Sequence, residues 1–222
     1  MSLAIVTPVV NGGFRFSEML SSVQMLADEL IVVDGGSSDN SPLMAERAGA
    51  KVISTTKGRG LQCAAGATHA TADWILFLHA DTILTEEARL ALISHVRMGS
   101  KGECAWYFEL RFDDDSAISS LISRLANWRS RVFGLPYGDQ GLLIHRDFYN
   151  ELGGYSALPL MEDVDFIRRI GRSRLRAMSG HVVTSAARYR QRGWITRSLR
   201  NLLCLSLYFL GMPPRWIVRI YD

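Results

Sequence analysis

The side chains of this sequence that could do chemistry are acidic residues in four loops and basic residues in a fifth. The acidic residues are Asp34 and Asp39, Asp81, Asp139, and the adjacent pair Glu162 and Asp163. The basic residues are Lys57 and Arg59, in a glycine-flanked loop. Mg²⁺ or Mn²⁺ binds one or two protein carboxylates and completes its shell with phosphate and water, and basic groups offset further phosphate charge. The set therefore predicts a site for a nucleoside diphosphate and a divalent metal.

The pair Glu162 and Asp163 is suited to a second task, because it lies far along the chain from Asp81. Where a metal stabilises a departing diphosphate, a separate carboxylate can deprotonate the attacking hydroxyl. A structural alternative stays open for Asp163, which could be only a first-turn acid of the helix that begins there.

Structural alternatives also stay open for three other residues. Asp39 could cap the helix that begins near Ser41. Lys57 and Arg59 could be solvated loop charges without a ligand.

The residues from Trp74 to Leu78 form an apolar run that ends abruptly at His79 and Asp81. Such a run, without alternation, is typical of a strand buried on both faces. His79 and Asp81 would then lie at the carboxyl edge of a parallel sheet, where open α/β sheets bind ligands. The alternative is a plain turn into the helix that begins near Thr85.

Strands alternate with helices in the first 100 residues, which predicts βαβ units and a parallel sheet. We predict four strands there, at residues 3–10, 30–33, 51–54 and 74–78. Pro8 is expected to end the first strand, because proline has no N–H for the ladder. Later segments predict strands at 105–112 and 142–145 and helices at 118–133, 161–166 and 196–210. No linker divides the chain, so we expect a single domain.

Charge is unevenly distributed along the 222 residues, although the net charge is only +3. Residues 1–140 hold 12 Lys/Arg and 16 Asp/Glu, whereas residues 141–222 hold 13 arginines and 6 acids. This asymmetry indicates that the C-terminal third meets something anionic. Three widely spaced cysteines predict neither a disulfide framework nor a zinc site, and no signal peptide is evident, so a cytoplasmic location is expected.

The motifs resemble those of the small, soluble, bacterial-type family 2 glycosyltransferases of the GT-A fold, over about residues 3 to 195. The resemblance depends on the order and spacing of several motifs. These are Pro8 with Asn11, Val33-Asp34-Gly35-Gly36-Ser37-Ser38-Asp39, Phe77-Leu78-His79-Ala80-Asp81-Thr82, Gly138-Asp139-Gln140-Gly141 and Glu162-Asp163.

The resemblance implies an α/β fold with a Rossmann-like, mostly parallel central sheet, flanking helices and a smaller mixed portion on the acceptor side. It implies a nucleotide-binding half at residues 1–100, an acceptor and catalytic half at 101–195, and a C-terminal helical appendage at 196–222. The activity implied is metal-dependent, inverting transfer of a hexose from a nucleotide diphosphate sugar to an acceptor hydroxyl. No nucleic-acid partner is expected.

The resemblance also assigns roles. Asp81 would be the ligand of Mn²⁺ or Mg²⁺, and Asp163, with Glu162, would supply the catalytic base. The remaining assignments concern donor and acceptor contacts. Those residues are Pro8, Asn11, Asp34, Gly36, Asp39, Lys57, Arg59, His79, Asp139 and Gln140.

Two departures from the family pattern bear on these roles. His79 replaces the usual first Asp of the Asp-x-Asp motif, and it would contact the ribose or a phosphate, or itself ligate the metal. The Gln-x-x-Arg-Trp motif of processive synthases appears only out of register, at residues 190–194, which disfavours polymer synthesis.

Two rival functions stay open. A nucleotidyltransferase of similar fold would activate the sugar, but the segment after the first strand lacks the Gly-rich basic loop typical of that class. A nucleotide-sugar binding protein without catalysis would be consistent with His79, although Asp81 and Asp163 argue against it.

The predicted helix at residues 196–210 is largely apolar, and an uncharged run at residues 201–214 is flanked by Arg197, Arg200, Arg215 and Arg219. Its uncharged run is too short for a membrane span, which takes about 20 residues. It could pack against the domain, close a homodimer, or lie at the inner face of the membrane and meet an anionic or lipid-linked acceptor.

Overall fold

One eight-stranded sheet organises the computed structural model, which describes residues 1–99 and 102–221. The strands, in chain order, are β1 (Leu3–Val9), β2 (Glu29–Asp34), β3 (Lys51–Ser54), β4 (Trp74–Phe77), β5 (Thr82–Leu84), β6 (Ala105–Phe112), β7 (Leu142–His145) and β8 (Leu175–Thr184). Their order across the sheet is β3-β2-β1-β4-β7-β6-β8-β5.

Helices flank this sheet. Those of the described ranges are α1 (Gly13–Val23), α2 (Ser41–Arg47), α3 (Arg59–His69), α4 (Glu86–Met98), α5 (Ala117–Phe133), α6 (Arg146–Glu151), α7 (Glu162–Ile170), α8 (Ala187–Arg192), α9 (Trp194–Phe209) and α10 (Pro214–Tyr221). A 3-10 turn lies at Gly138–Gln140.

The first four strands are mutually parallel, as the alternation of strands and helices predicts. β4 lies between β1 and β7, and all four of its residues are buried, because the sheet is covered on both faces. The loop after β4 therefore emerges at the carboxyl edge, with His79 and Asp81 on it. The predicted α/β class with a mostly parallel sheet is confirmed.

The second half of the sheet is mixed. β7 is antiparallel to β4, with Phe77 opposite Leu142, so the start of β7 lies beside the end of β4. The 3-10 turn before β7 is consequently placed next to the loop after β4. β6 is antiparallel to β7 and parallel to β8, which brings the end of β8, at Thr184, to the same edge.

The apolar core fills both faces of the sheet and a third region under the C-terminal helices. Phe16, Met19, Leu92 and Phe108 are among the fully buried side chains on one face. The third region joins Leu160, Met161 and Val164 to Cys204, Leu205 and Ile217. α9 and α10 thus pack partly against the segment that begins α7.

Several local predictions differ from the structure. Pro8 does not end β1, which continues to Val9. The backbone carbonyl of Val6 points toward β4 and accepts from Leu78 N. The backbone of Pro8, two residues later, points to the same side. At that position β4 has already ended, so the missing N–H of Pro8 costs no hydrogen bond between strands. β5, β8, α6, α8 and α10 were not predicted.

Within the ranges that the structure describes, no helix combines the length and the apolar character needed to cross a membrane.

Candidate active site

An open cleft lies at the carboxyl edge of the sheet. Segments far apart in the chain contribute to its lining. The predicted residues found there are Arg59, His79, Asp81, Asp139, Glu162 and Asp163. The sheet topology therefore brings together six of the predicted side chains.

The loop between β4 and β5 contributes His79 and Asp81. Asp81 is partly exposed, and its carboxylate makes no hydrogen bond or ion pair with the described part of the chain. Burial lowers the pKa of His79 well below its ordinary value, and the positive charges of Arg59 and Arg188 add to this effect. His79 is therefore a neutral imidazole, able to accept a hydrogen bond or ligate a metal.

His79 and Asp81 together offer one nitrogen ligand and one carboxylate to a divalent metal. The described residues contain no cluster of three or more His, Cys, Asp or Glu side chains arranged around one point. Mg²⁺ and Mn²⁺ sites that share their metal with substrate phosphates need only one or two protein ligands. The free carboxylate of Asp81, with His79 two residues away, fits a metal that binds together with a diphosphate.

The 3-10 turn places Asp139 in the cleft. Burial raises the pKa of the Asp139 carboxyl to about 6, opposed by Arg129 and reinforced by the negative charges of Asp163 and Asp81. Its Oδ1 is buried and has no hydrogen-bond partner in the described chain. Such an orphaned acceptor is costly unless a ligand or water donates to it.

Gly138 allows this turn to approach the loop after β4. A Cβ at position 138 would lie 2.6 Å from Nε2 of His79, closer than carbon and nitrogen approach without displacement. The backbone N–H of Gly138 donates to Oδ2 of Asp163 at 2.9 Å. The glycine therefore holds the turn against His79 and Asp163 together.

Gln140 was expected to contact the donor or acceptor, but its side chain does not reach the cleft. It is fully buried, and its Nε2 donates to the Phe108 carbonyl at 3.0 Å. Its Oε1 accepts from the Ser130 hydroxyl at 2.7 Å and from Tyr137 N at 3.2 Å. Gln140 anchors the turn to α5 and β6.

The adjacent acids at the start of α7 have different surroundings. Glu162 is 2% exposed, and its Oε1 lies 3.4 Å from Nε of Arg59. Burial raises the pKa of Glu162 to about 7, with Arg59 opposing the shift and Asp163 adding to it. Asp163 is partly exposed to the cleft and also accepts from Val164 N at 2.8 Å.

Gly60, one residue after Arg59, lets α3 contact the start of α7. A Cβ there would lie 2.3 Å from the Ser156 carbonyl oxygen and 2.9 Å from Cβ of Glu162. The small residue thus permits the contact between Arg59 and Glu162. Lys57, in the same loop, is exposed and lines no part of the cleft.

Four other predicted residues lie farther along the same edge and do not line the cleft. Asp34 is buried and accepts from Gly36 N at 3.0 Å. Asn11, with φ of +52°, accepts from Ser38 N at 2.8 Å through Oδ1.

Asp39 joins the same two loops. It accepts from Gly13 N at 3.2 Å and from Ser41 N at 2.9 Å, so it links the loops after β1 and β2. Hydrogen bonds, first from the Ser41 side chain, lower the pKa of Asp39. The N-cap residue of α2 is Asn40, and it makes no side-chain cap bond, so Asp39 is a link between two loops and not the helix cap.

Pro8 lies between the two groups. It lines a small cavity that also has Arg59, His79 and Asp163 in its wall. This cavity continues the edge from the cleft toward the ends of β1 and β2.

Part of the cleft wall comes from residues that no motif indicated. They belong to the segment before the 3-10 turn and to α8, α9 and α10, and are Tyr137, Arg188, Tyr189, Arg197, Asn201 and Tyr221. The excess of arginine in the C-terminal third indicated the region. It did not indicate which of its arginines face the cleft.

Comparison with protein-family models finds a match over residues 4–135 to the model described as glycosyl transferase family 2. An uncharacterized glycosyltransferase of Rickettsia bellii is 29% identical over 169 residues, which cover 72% of this chain and 53% of that protein. The chain spans between 20% and 53% of the length of the curated relatives it matches.

Two solved structures share the fold. The mannosyltransferase PcManGT of Pyrobaculum calidifontis, solved with GDP-Man and Mn²⁺, aligns with a TM-score of 0.65 and 19% identity, covering 90% of this chain and 59% of its own. Glucosyl-3-phosphoglycerate synthase of Mycobacterium tuberculosis, solved with Mn²⁺, UDP and glucosyl-3-phosphoglycerate, aligns with a TM-score of 0.55 and 20% identity, covering 83% and 70%. At these identities the likeness concerns the fold alone.

Proposed function

The chain belongs to glycosyl transferase family 2, and we propose that it transfers a sugar from a nucleotide diphosphate sugar to an acceptor hydroxyl. The GT-A fold predicted from the sequence is confirmed by the structural likenesses. The observation that supports the proposed activity best is the convergence of Asp81, Asp139 and Asp163 in one cleft that also contains Arg59.

The donor would bind along the carboxyl edge. Asp81, with His79, would hold Mn²⁺ or Mg²⁺, and the exposed guanidinium of Arg188 would lie against the diphosphate together with Arg59. A divalent ion bound there supplies positive charge that stabilises the negative charge developing on the diphosphate as it leaves. The nucleoside would extend past Pro8 toward the loops that carry Asn11, Asp34, Gly36 and Asp39.

The transfer itself would use Asp163 as the general base. Its carboxylate would take the proton of the acceptor hydroxyl while that oxygen attacks the anomeric carbon from the face opposite the diphosphate. The bond to the diphosphate breaks as the new glycosidic bond forms, so the anomeric configuration inverts. The N–H of Gly138 and the N–H of Val164 would hold the carboxylate in position.

Three successive parts of the chain would then have different roles. Residues 1–100 would bind the donor, and residues 101–195 would supply the base and part of the acceptor side. The C-terminal segment, 196–222, would complete the acceptor wall, since Arg197, Asn201 and Tyr221 line the cleft.

A screen of UDP- and GDP-sugars by thermal shift, with and without Mn²⁺, tests this function. We expect at least one nucleotide sugar to raise the Tm, and to do so only with Mn²⁺, because a ligand that binds only the folded state stabilises it. A hit would then be followed by release of nucleoside diphosphate on addition of candidate acceptors.

Three outcomes would contradict the proposal. If no nucleotide sugar raises the Tm, the protein does not bind the donor that the proposal requires. Metal-dependent binding without turnover would favour the nucleotide-sugar binding protein that His79 leaves open. Exchange of pyrophosphate into a nucleoside triphosphate would favour a nucleotidyltransferase.

We further propose that the acceptor is lipid-linked and that a cytoplasmic enzyme meets it at the inner face of the membrane. α9, α10 and the turn between them expose large apolar side chains beside the exposed Arg215 and Arg219. These apolar side chains are Ile195, Leu199, Leu202, Leu203, Phe209, Leu210, Trp216 and Ile220. Apolar burial and attraction to anionic headgroups, worth about 1 kcal/mol per basic residue, would act together.

Flotation with liposomes tests this docking. We expect the protein to float with anionic liposomes at low salt, less at high salt, and not with neutral liposomes, because salt screens the arginine charges. The double variant Leu202→Ser with Leu203→Ser should lose flotation, and Leu90→Ser, an exposed residue of α4, is the matched control. Absence of flotation together with a concentration-dependent dimer in ultracentrifugation would indicate that this face closes a homodimer instead.

A further inference from the structure

Arg197 is the one arginine of residues 1–99 and 102–221 that is buried, with 7% of its surface exposed. It projects from α9 into the wall of the cleft. No carboxylate in the described chain lies within ion-pair distance of its guanidinium. Nη2 donates to the Tyr221 hydroxyl at 3.3 Å, and Nε has no hydrogen-bond partner.

A buried charge without an opposite charge is costly, since desolvation is not repaid by a partner. The rings of Tyr189 and Tyr221, with centroids 5.4 and 5.7 Å from Cζ of Arg197, offset part of this cost through cation–π attraction. They leave the guanidinium edge with unused donors. An anion that binds two of these donors would satisfy the group, because the planar fork matches a carboxylate or a phosphate.

The two buried or half-buried arginines of the cleft have different partners. Arg59 forms an ion pair with Glu162, which precedes the proposed base Asp163. Arg197 contacts Tyr189 of α8 and Tyr221 of α10. An anion at Arg197 would therefore use donors that the pair of Arg59 and Glu162 does not engage.

Resting on the proposed function, we infer that Arg197 binds an anionic group of the acceptor, either a carboxylate or a phosphate. This group would hold the acceptor so that its hydroxyl is directed toward Asp163. The apolar walls formed by Tyr189 and Tyr221 would cover the part of the acceptor next to the anion.

Calorimetry with three small probes tests this subsite. Glycerol 3-phosphate, glycerate and glycerol differ only in carrying a phosphate, a carboxylate or neither. They are titrated at constant ionic strength into the full chain, presaturated with Mn²⁺ and the nucleoside diphosphate that the donor screen identifies, so that the donor site is already occupied. We expect one or both anions to bind and glycerol not to bind, which also distinguishes the phosphate from the carboxylate source.

The variants assign the binding to one residue. Arg197→Gln should weaken anion binding by about tenfold or more, as expected for loss of a charge-assisted pair. Arg97→Gln removes the same charge from an exposed position of α4, away from the cleft, and should bind as the parent does. Arg197→Lys keeps the positive charge but lacks the paired donors of the guanidinium. It replaces the Gln variant as the test if circular dichroism shows that Arg197→Gln does not fold.

The outcomes separate this inference from the proposed function. Equal binding of glycerol and the two anions by the parent, or unchanged anion binding by both Arg197 variants, overturns the subsite while donor binding stands. Loss of nucleotide affinity in Arg197→Gln assigns the residue to the donor and also overturns it. If the parent binds no nucleotide, the proposed function fails, and the same titration without nucleotide still decides whether Arg197 holds an anion.

Discussion

Replacement of Asp163 by Asn is expected to lower kcat by about 10²–10⁴-fold while leaving nucleotide-sugar affinity nearly unchanged, the usual result when a general base is removed. The partly exposed carboxylate of Asp163 faces the cleft, and two backbone N–H groups fix its orientation. An amide at this position cannot accept the proton of the attacking hydroxyl.

Glu162 is the rival for this role, because its pKa of about 7 would suit a base. It is, however, 2% exposed and lies against Arg59, which favours a role in holding that guanidinium. Glu162→Gln should therefore change the affinity for the nucleotide sugar more than kcat, since Arg59 loses its partner.

Initial rates at saturating donor, with donor affinity from calorimetry, decide between the two acids. Asp147→Asn is the matched control, because the carboxylate of Asp147 is 68% exposed on α6 and lines no part of the cleft. Normal turnover by Asp163→Asn would show that Asp163 is not the general base. A large loss of kcat in Glu162→Gln with normal donor affinity would assign the role to Glu162.

Replacement of Asp81 by Asn is expected to abolish the effect of Mn²⁺ on nucleotide binding and to weaken that binding by about 100-fold or more. Loss of a residue that only orients a metal ligand typically lowers the affinity for the metal by about 10–100-fold. Removal of the ligand itself should lower it at least as much. The Asp81 carboxylate makes no hydrogen bond or ion pair with the described chain, so its replacement breaks no such bond of the folded protein.

Calorimetry with a nucleoside diphosphate, in Mn²⁺ and in EDTA, measures this effect for the parent, Asp81→Asn and Asp147→Asn. The parent and the Asp147→Asn control should bind in Mn²⁺ and lose affinity in EDTA. Affinity that is the same in both conditions for all three proteins would show that binding needs no metal. A fourth protein, His79→Ala, shows whether the imidazole adds to the metal dependence.

The local predictions succeeded where the signal is confined to neighbouring residues. The apolar run at Trp74 predicted a buried strand because five side chains without alternation need apolar cover on both faces, and β4 has it. The helix after it begins as expected, with Thr85 accepting from Ala88 N and two glutamates in the first turn. β8 was missed because its partner, β6, lies about 70 residues earlier in the chain, and its sequence alone has no regular alternation.

The sequence by itself therefore determined the class of fold, the family resemblance and the order of the acidic loops, since hydrophobic runs and turn residues act over short distances. Only the tertiary structure decided which of these residues meet. It brought Asp139 into the same cleft as His79 through the antiparallel pairing of β7 with β4, buried Gln140 in the anchor of its turn, and used Asp39 to join two loops. It also placed Arg197 in the cleft wall, because the direction of a side chain on α9 depends on the packing of that helix against residues far away in sequence.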